Sequence, residues 1–134
     1  VCMDSILVPI ENTEGSWMTG VIDIASHRVH VEDPMGQPQS ERATMLARWA
    51  GELTHTAPES WMLTGATQQR TMSKLDSGVM LVADMMCIAQ GLDPSMAQKG
   101  VERFRKWLAF LLWCSGDMPI ITNNKSSVHP RQIR

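Results

Sequence analysis

The run Leu75–Gly91, LDSGVMLVADMMCIAQG, constrains this chain more than any other. From Gly78 to Gln90 it holds no helix breaker, and Asp84 is its single charge. A helix that is apolar all round has to be buried, so the rest of the chain must be built around this one. Gly91 supplies the left-handed residue that closes it. Its apolar runs, Val79 to Ala83 and Met85 to Ala89, fall far short of the ~20 residues of a membrane span. The entrance is the odd part. Asp76-Ser77-Gly78 sets a serine and a glycine at the mouth of an apolar segment, with Ser77 or Asp76 as the N-cap.

Strands come before this helix. Ser5 to Ile10, SILVPI, reads as a strand, and Pro9 places it at or near a sheet edge. ENTEG is a turn. SWMTGVIDIA reads as a second strand. HRVHVED alternates, with Val29 and Val31 on one face and Arg28, His30 and Glu32 on the other, which is a half-buried strand. Ser26 lies between these two, as in a hairpin. Ser40 to His55 has helical spacing: Met45, Trp49 and Leu53 fall at i, i+4 and i+8, beside Leu46 and Ala50, and Ser40 suits the N-cap. WMLTGA from Trp61 is a weak strand signal, and TQQRTMSK is polar loop. After the buried helix, Asp93-Pro94 reads as N-cap and first residue of a last helix running to about Cys114. Its stripe is Val101, Phe104, Leu108, Leu111 and Leu112. Arg103, Arg105 and Lys106 lie off it as a solvated face, and Gly116 stops it. The order of elements predicts an α+β chain with a small mixed sheet and a buried central helix.

At 134 residues the prior is one domain, taken as residues 1–116 with a tail at 117–134. The net charge of −2 gives no bulk attraction to nucleic acid or to a membrane surface. Three scattered cysteines, Cys2, Cys87 and Cys114, suggest neither a disulfide framework nor a metal site, so no cofactor is expected. Cys87 reads as a small hydrophobe. Asp4, Glu11 and Glu14 interrupt the only early apolar run, so no signal peptide is expected. An intracellular setting, nucleus or cytoplasm, follows as an expectation. The chain opens on Val1, as a processed or excised piece would.

The entrance of the helix has the parts of a nucleophile's seat. A residue there feels the partial positive charge of unpaired N–H groups, which is how a cysteine thiolate is made reactive. A following glycine lets a substrate backbone come close, and a preceding Gln can serve an oxyanion. QQRTMSKLDSGV has this layout with Ser77 in the nucleophile's place. Together with GSWMTGVIDIASHRVHVED upstream, it resembles the ubiquitin-like-modifier (SUMO-type) proteases, the adenain-like cysteine peptidases, from Ile6 to about Leu112. The resemblance implies the C-terminal part of their papain-like catalytic fold. On it, Ser77 falls on the catalytic Cys and Ser16 on the catalytic His. Asp33 falls on the triad Asp, Gln69 on the oxyanion Gln with Gln68 beside it, and Trp17 and Gly78 on the channel that grips a modifier's Gly-Gly tail. The closing AQKGVERFRKWLAFLL resembles the family's last helix.

The departures decide the expected function. Ser16 cannot act as a base, and a serine nucleophile needs one. His30 points away from the face of Asp33, and His27 lies six residues from it, roughly 20 Å along a strand. His55 and His129 have no placement from sequence. The chain is therefore expected to be a catalytically inactive protease-like domain that binds protein, a ubiquitin-like modifier among the candidates. Two other readings stay open. One is an active cysteine protease inactivated by mutation, which accounts for Ser77 but not for Ser16. The other is a small α/β structural or assembly module unrelated to proteases. The family's N-terminal subdomain has no counterpart here, so an exposed apolar patch is expected, covered by a second copy or a partner.

Overall fold

The computed structural model describes residues 4–64, 68–115, 119–121 and 128–130. Strands β1 (Ser5–Glu11), β2 (Trp17–Asp23) and β3 (Arg28–Glu32) run antiparallel in sequence order. β4 (Met62–Leu63) then pairs parallel to β3, so the sheet is mixed. β1 is an edge strand, which is where Pro9 can sit without costing a ladder hydrogen bond. Helix α1 (Ser40–Thr54) packs on one face of the sheet and α2 (Lys74–Ala89) on the other. α3 (Val101–Ser115) packs against α2, and β5 (Pro119–Ile121) pairs with β6 (Val128–Pro130). Gly116 and most of the expected tail lie outside the described residues.

The period-2 pattern of β2 and β3 assigns the two faces. Met18, Ile22, Val29 and Val31 are buried against Leu46, Ala47 and Ala50 of α1. Gly20 lets α1 come close, because a Cβ there would stand 2.9 Å from Leu46 Cδ1. Thr19, Val21, His30 and Glu32 take the opposite face, toward α2. Inside α2, Val79, Met80, Leu81 and Ala83 are buried, while Met85, Met86, Cys87 and Ile88 are only partly covered. The helix is thus wrapped through its first half rather than all round. Its end is a Schellman turn: Gly91 has φ +73°, its N–H bonds the Ile88 carbonyl, and the Leu92 N–H bonds the Cys87 carbonyl.

Four boundaries or faces differ from the sequence reading. The core face of α1 is Ala43, Leu46, Ala47, Ala50 and Gly51, and Met45, Trp49 and Leu53 point to water. Periodicity finds a stripe but cannot say which stripe faces the sheet. Ser40 is the first helical residue, after Gln39 at the cap position, whose side chain does not cap the helix. Asp93-Pro94 does not begin α3, which starts at Val101 after a short 3₁₀ turn, Gln98–Gly100. Only Val101 of the proposed α3 stripe is buried, while Leu111 and Leu112 are exposed.

Candidate active site

Every site residue predicted from sequence belongs to one end of the sheet. The register that pairs Thr19 with Glu32 sets the start of β2 beside the end of β3. The first turn of α2 comes to the same end, where the Trp17 N–H donates to Ser77 Oγ at 2.8 Å. Ser77 Oγ in turn donates to the Lys74 carbonyl at 2.5 Å. Both roles of the hydroxyl are filled, and Ser77 is 0% exposed. Ser16, next to Trp17, is buried too, with its N–H held by Asn12 Oδ1 at 3.0 Å.

Ser77 is not at the mouth of the helix. α2 starts at Lys74, three residues before Ser77, with Ser73 as the N-cap accepting the Asp76 N–H at 3.3 Å. The Ser73…Asp76 spacing is an S-x-x-D capping signature that the polar loop concealed. The Ser77 N–H is already bonded to the Ser73 carbonyl at 3.1 Å, so it is not one of the free donors of the helix end. What stands at the mouth is apolar: Met72 is 84% exposed and Leu75 is 85% exposed. Gly78 lies under the Trp17 ring, and a Cβ there would meet Trp17 Cδ1 at 3.5 Å. That is ordinary contact, so Trp17 rests on Gly78 with room for one methyl group.

Asp33 follows β3 and caps its own loop. Oδ1 accepts the Met35 N–H at 2.9 Å, and Oδ2 accepts the Gln37 N–H at 3.3 Å and the Gln39 amide at 2.9 Å. The loop carrying Gln68 and Gln69 is stitched to this turn. The Pro34 carbonyl accepts the N–H groups of Arg70 at 2.8 Å and Thr71 at 3.1 Å. Gly36 makes the approach possible: at φ +72°, a Cβ on it would stand 2.7 Å from Gln69 Cβ and 2.8 Å from its Cα. Gln68 and Gln69 are both exposed, and Gln69 lines a groove of about 670 Å³ with Arg70, Met72 and Gln98.

Two charge pairs hold this end together, and sequence reasoning missed both. Asp84 is fully buried, and Arg70 grips it with two bonds, Nη1 to Oδ1 at 2.7 Å and Nη2 to Oδ2 at 2.6 Å. Burial alone would lower the Arg70 pKa, but the hydrogen bond and charge of Asp84 outweigh it and hold the guanidinium above its ordinary value. The single charge in an apolar helix was the available sign that a partner had to exist. Asp76 bonds Gln98 Nε2 and Arg105 Nη2, each at 2.6 Å, and Gln98 also bonds Thr71 Oγ1. Gln98 first, then Arg105, keeps the Asp76 carboxyl below the usual range. Arg105 is thus not part of a purely solvated face, whereas Lys106 pairs with Glu102 along α3.

None of His27, His30 and His55 serves Ser77. His27 packs its ring edge-on to Trp61, with centroids 4.0 Å apart, and His55 ends α1 in a left-handed conformation. His30 lies 3.7 Å from Glu32, yet burial lowers its pKa more than the nearby charge of Asp23 raises it. At neutral pH that contact is therefore not an ion pair. Among the described residues no cluster of His, Cys, Asp and Glu could hold a metal ion.

No protein-family model matches the sequence, and no curated protein matches it. Solved structures do. The SUMO protease Ulp1, with its catalytic cysteine oxidized to a sulfonic acid, superposes with a TM-score of 0.73 at 19% identity, over 84% of this chain and 54% of that one. The C-terminal Ulp1 protease domain in complex with Smt3, the yeast ortholog of SUMO, gives 0.71 at 19% identity, over 84% and 53%. The Ulp1-like SUMO protease catalytic domain of Chaetomium thermophilum gives 0.64 at 24% identity, over 77% and 44%. The chain spans about half the length of the structures it matches. It has, over that half, the fold of the Ulp1-like SUMO protease catalytic domains.

Proposed function

We propose that this chain is a catalytically silent protease-like domain whose role is to bind protein, with a SUMO-type ubiquitin-like modifier as the partner its shape favours. The observation that carries this reading is the state of Ser77. Its hydroxyl is fully buried, accepts from Trp17 and donates to Lys74. A serine nucleophile needs a base to take its proton, and this proton is already directed at a carbonyl. Ser16 stands where the resemblance implies the base, and it has no basic nitrogen to offer. The retained fold supports the binding half of the proposal, since the similar Ulp1 domain is seen in complex with Smt3. A nuclear or cytoplasmic setting goes with that partner.

Two measurements on the same preparation test it. Isothermal titration with SUMO-type modifiers and with ubiquitin is expected to show saturable binding to at least one of them. Incubation with those modifiers carrying a C-terminal fluorogenic amide is expected to show no turnover above buffer. Heat-silent titrations with every modifier would remove the modifier as partner. Turnover that disappears in Ser77→Ala would overturn the silent reading.

A further inference from the structure

Helix α1 has two apolar faces of opposite size. Apart from Leu46, the side chains facing the sheet are small, Ala43, Ala47 and Ala50, and the large ones of Met45, Trp49 and Leu53 face water, 51–58% exposed. An amphipathic surface helix ordinarily does the reverse. β4 packs against α1 and adds Leu63, 48% exposed, which pairs with Val29 and so shares the α1 side of the sheet, whereas Met62 pairs with Arg28 and takes the other side. β4 is the last strand of the sheet, and its outer edge has no strand neighbour among the described residues. Four large side chains, each about half bare, amount to on the order of 400 Å² of apolar surface, a patch of the size that is often functional on a monomer.

We propose that this face joins two copies of the chain in a two-fold dimer. Area is the first reason. Doubled across a symmetry axis, the patch contributes about 800 Å² of apolar surface, and the exposed rim of Arg48 and Glu52 from both copies carries the interface past the roughly 1,000 Å² at which it becomes specific. Spacing is the second. Met45, Trp49 and Leu53 form an i, i+4, i+8 row, the ridge by which one helix packs into another, and a second copy brings the same ridge. With Trp49 beside the axis, Met45 of one copy faces Leu53 of the other. Charge is the third. Arg48 and Glu52 flank the ridge one turn apart, and neither is in an ion pair among the described residues. Arg before Glu at i, i+4 is the weaker order for pairing within a helix. An antiparallel two-fold sets Arg48 of each copy beside Glu52 of the other, so the surface complements itself. The inference does not depend on the modifier reading.

Sedimentation velocity on the full chain tests it. The expected mass is twice the 15.0 kDa of one chain, with a Kd of about 10 µM or tighter. Trp49→Glu, at an exposed position, is expected to weaken association at least a hundredfold with the far-UV spectrum unchanged. Arg48→Glu is expected to weaken it, and Arg48→Glu with Glu52→Arg to restore it. A monomeric parent chain overturns the proposal. So does a dimer that survives Trp49→Glu, which would put the interface elsewhere. Should Trp49→Glu unfold the chain, the charge pair decides alone: no loss on reversing Arg48, or no recovery in the double variant, overturns it.

Discussion

A hydroxyl has one proton to give, and Ser77 gives it to the Lys74 carbonyl while accepting from Trp17. The residue that resembles a nucleophile is thus a clasp between α2 and β2. Gly36 has a comparable structural role. Its positive φ and the 2.7 Å approach of Gln69 leave no room for a side chain. Gly15 makes a useful control, with φ +82° and nothing within 4 Å of a Cβ. Gly15→Ala is expected to cost about 1–2 kcal/mol, the strain of left-handed backbone alone. Gly36→Ala adds overpacking and is expected to cost roughly 3 kcal/mol or more in urea unfolding. Equal costs would show that the close approach does not constrain the loop. Glu32 yields a pH prediction. Burial raises its pKa above the usual carboxylate value, with Arg70 opposing and Asp84 and Asp93 adding to the rise. The folded state then binds the proton more tightly than the unfolded one, so ionised Glu32 costs stability above its folded pKa. Glu32→Gln is expected to raise the melting temperature at neutral pH. The gain should fade as pH falls toward the ordinary Glu value and both chains become neutral there. A gain that is the same at acid pH would refute burial as the cause.

Among the elements, the pairing of α2 with the Gln68–Ser73 loop rests on Arg70 and Asp84. Arg70→Ala leaves Asp84 buried and unpaired, with an expected loss of about 3–5 kcal/mol in chemical denaturation. Arg70→Met with Asp84→Leu is expected to recover most of it, because the pair's own desolvation cost disappears with it. A double variant as unstable as the single one would show that the pair contributes more than relief of a stranded charge. Sequence reading placed all three hairpin strands, both long early helices and Gly91 at the end of α2, because alternation and punctuation are local. It failed where the answer was tertiary. The ridge of Met45, Trp49 and Leu53 is as periodic as the buried row of Ala43, Ala47 and Ala50, and only the approach of Leu46 to Gly20 selects the inner face. Asp93-Pro94 carries a good helix-start signature, yet no apolar spacing supports a helix before Val101. Ser73 was legible as a cap through Asp76, but the apolar run drew the boundary too late.

At the scale of the whole molecule, the family resemblance singled out Ser16, Trp17, Asp33, Gln69 and Ser77, and the fold brings them to one end of the sheet. A hairpin fixes the step from 16 to 33, and one helix start fixes 77. What spacing could not convey is how those atoms are occupied. A working Cys–His–Asp arrangement needs a reachable thiolate near free helix donors and a carboxylate free to orient the histidine. Here the Ser77 N–H is bonded to Ser73, its side chain is fully buried, and Asp33 bonds Met35, Gln37 and Gln39. Ser16→His with Ser77→Cys therefore supplies the missing atoms without the arrangement. The double variant is expected to leave a modifier's C-terminal fluorogenic amide uncleaved. Peptide mapping after iodoacetamide treatment at neutral pH is expected to show position 77 alkylated more slowly than the exposed Cys114. Turnover by this variant, or alkylation at 77 ahead of Cys114, would mean that the fold still holds an open catalytic seat. What separates the chain from a working protease would then be two side chains alone.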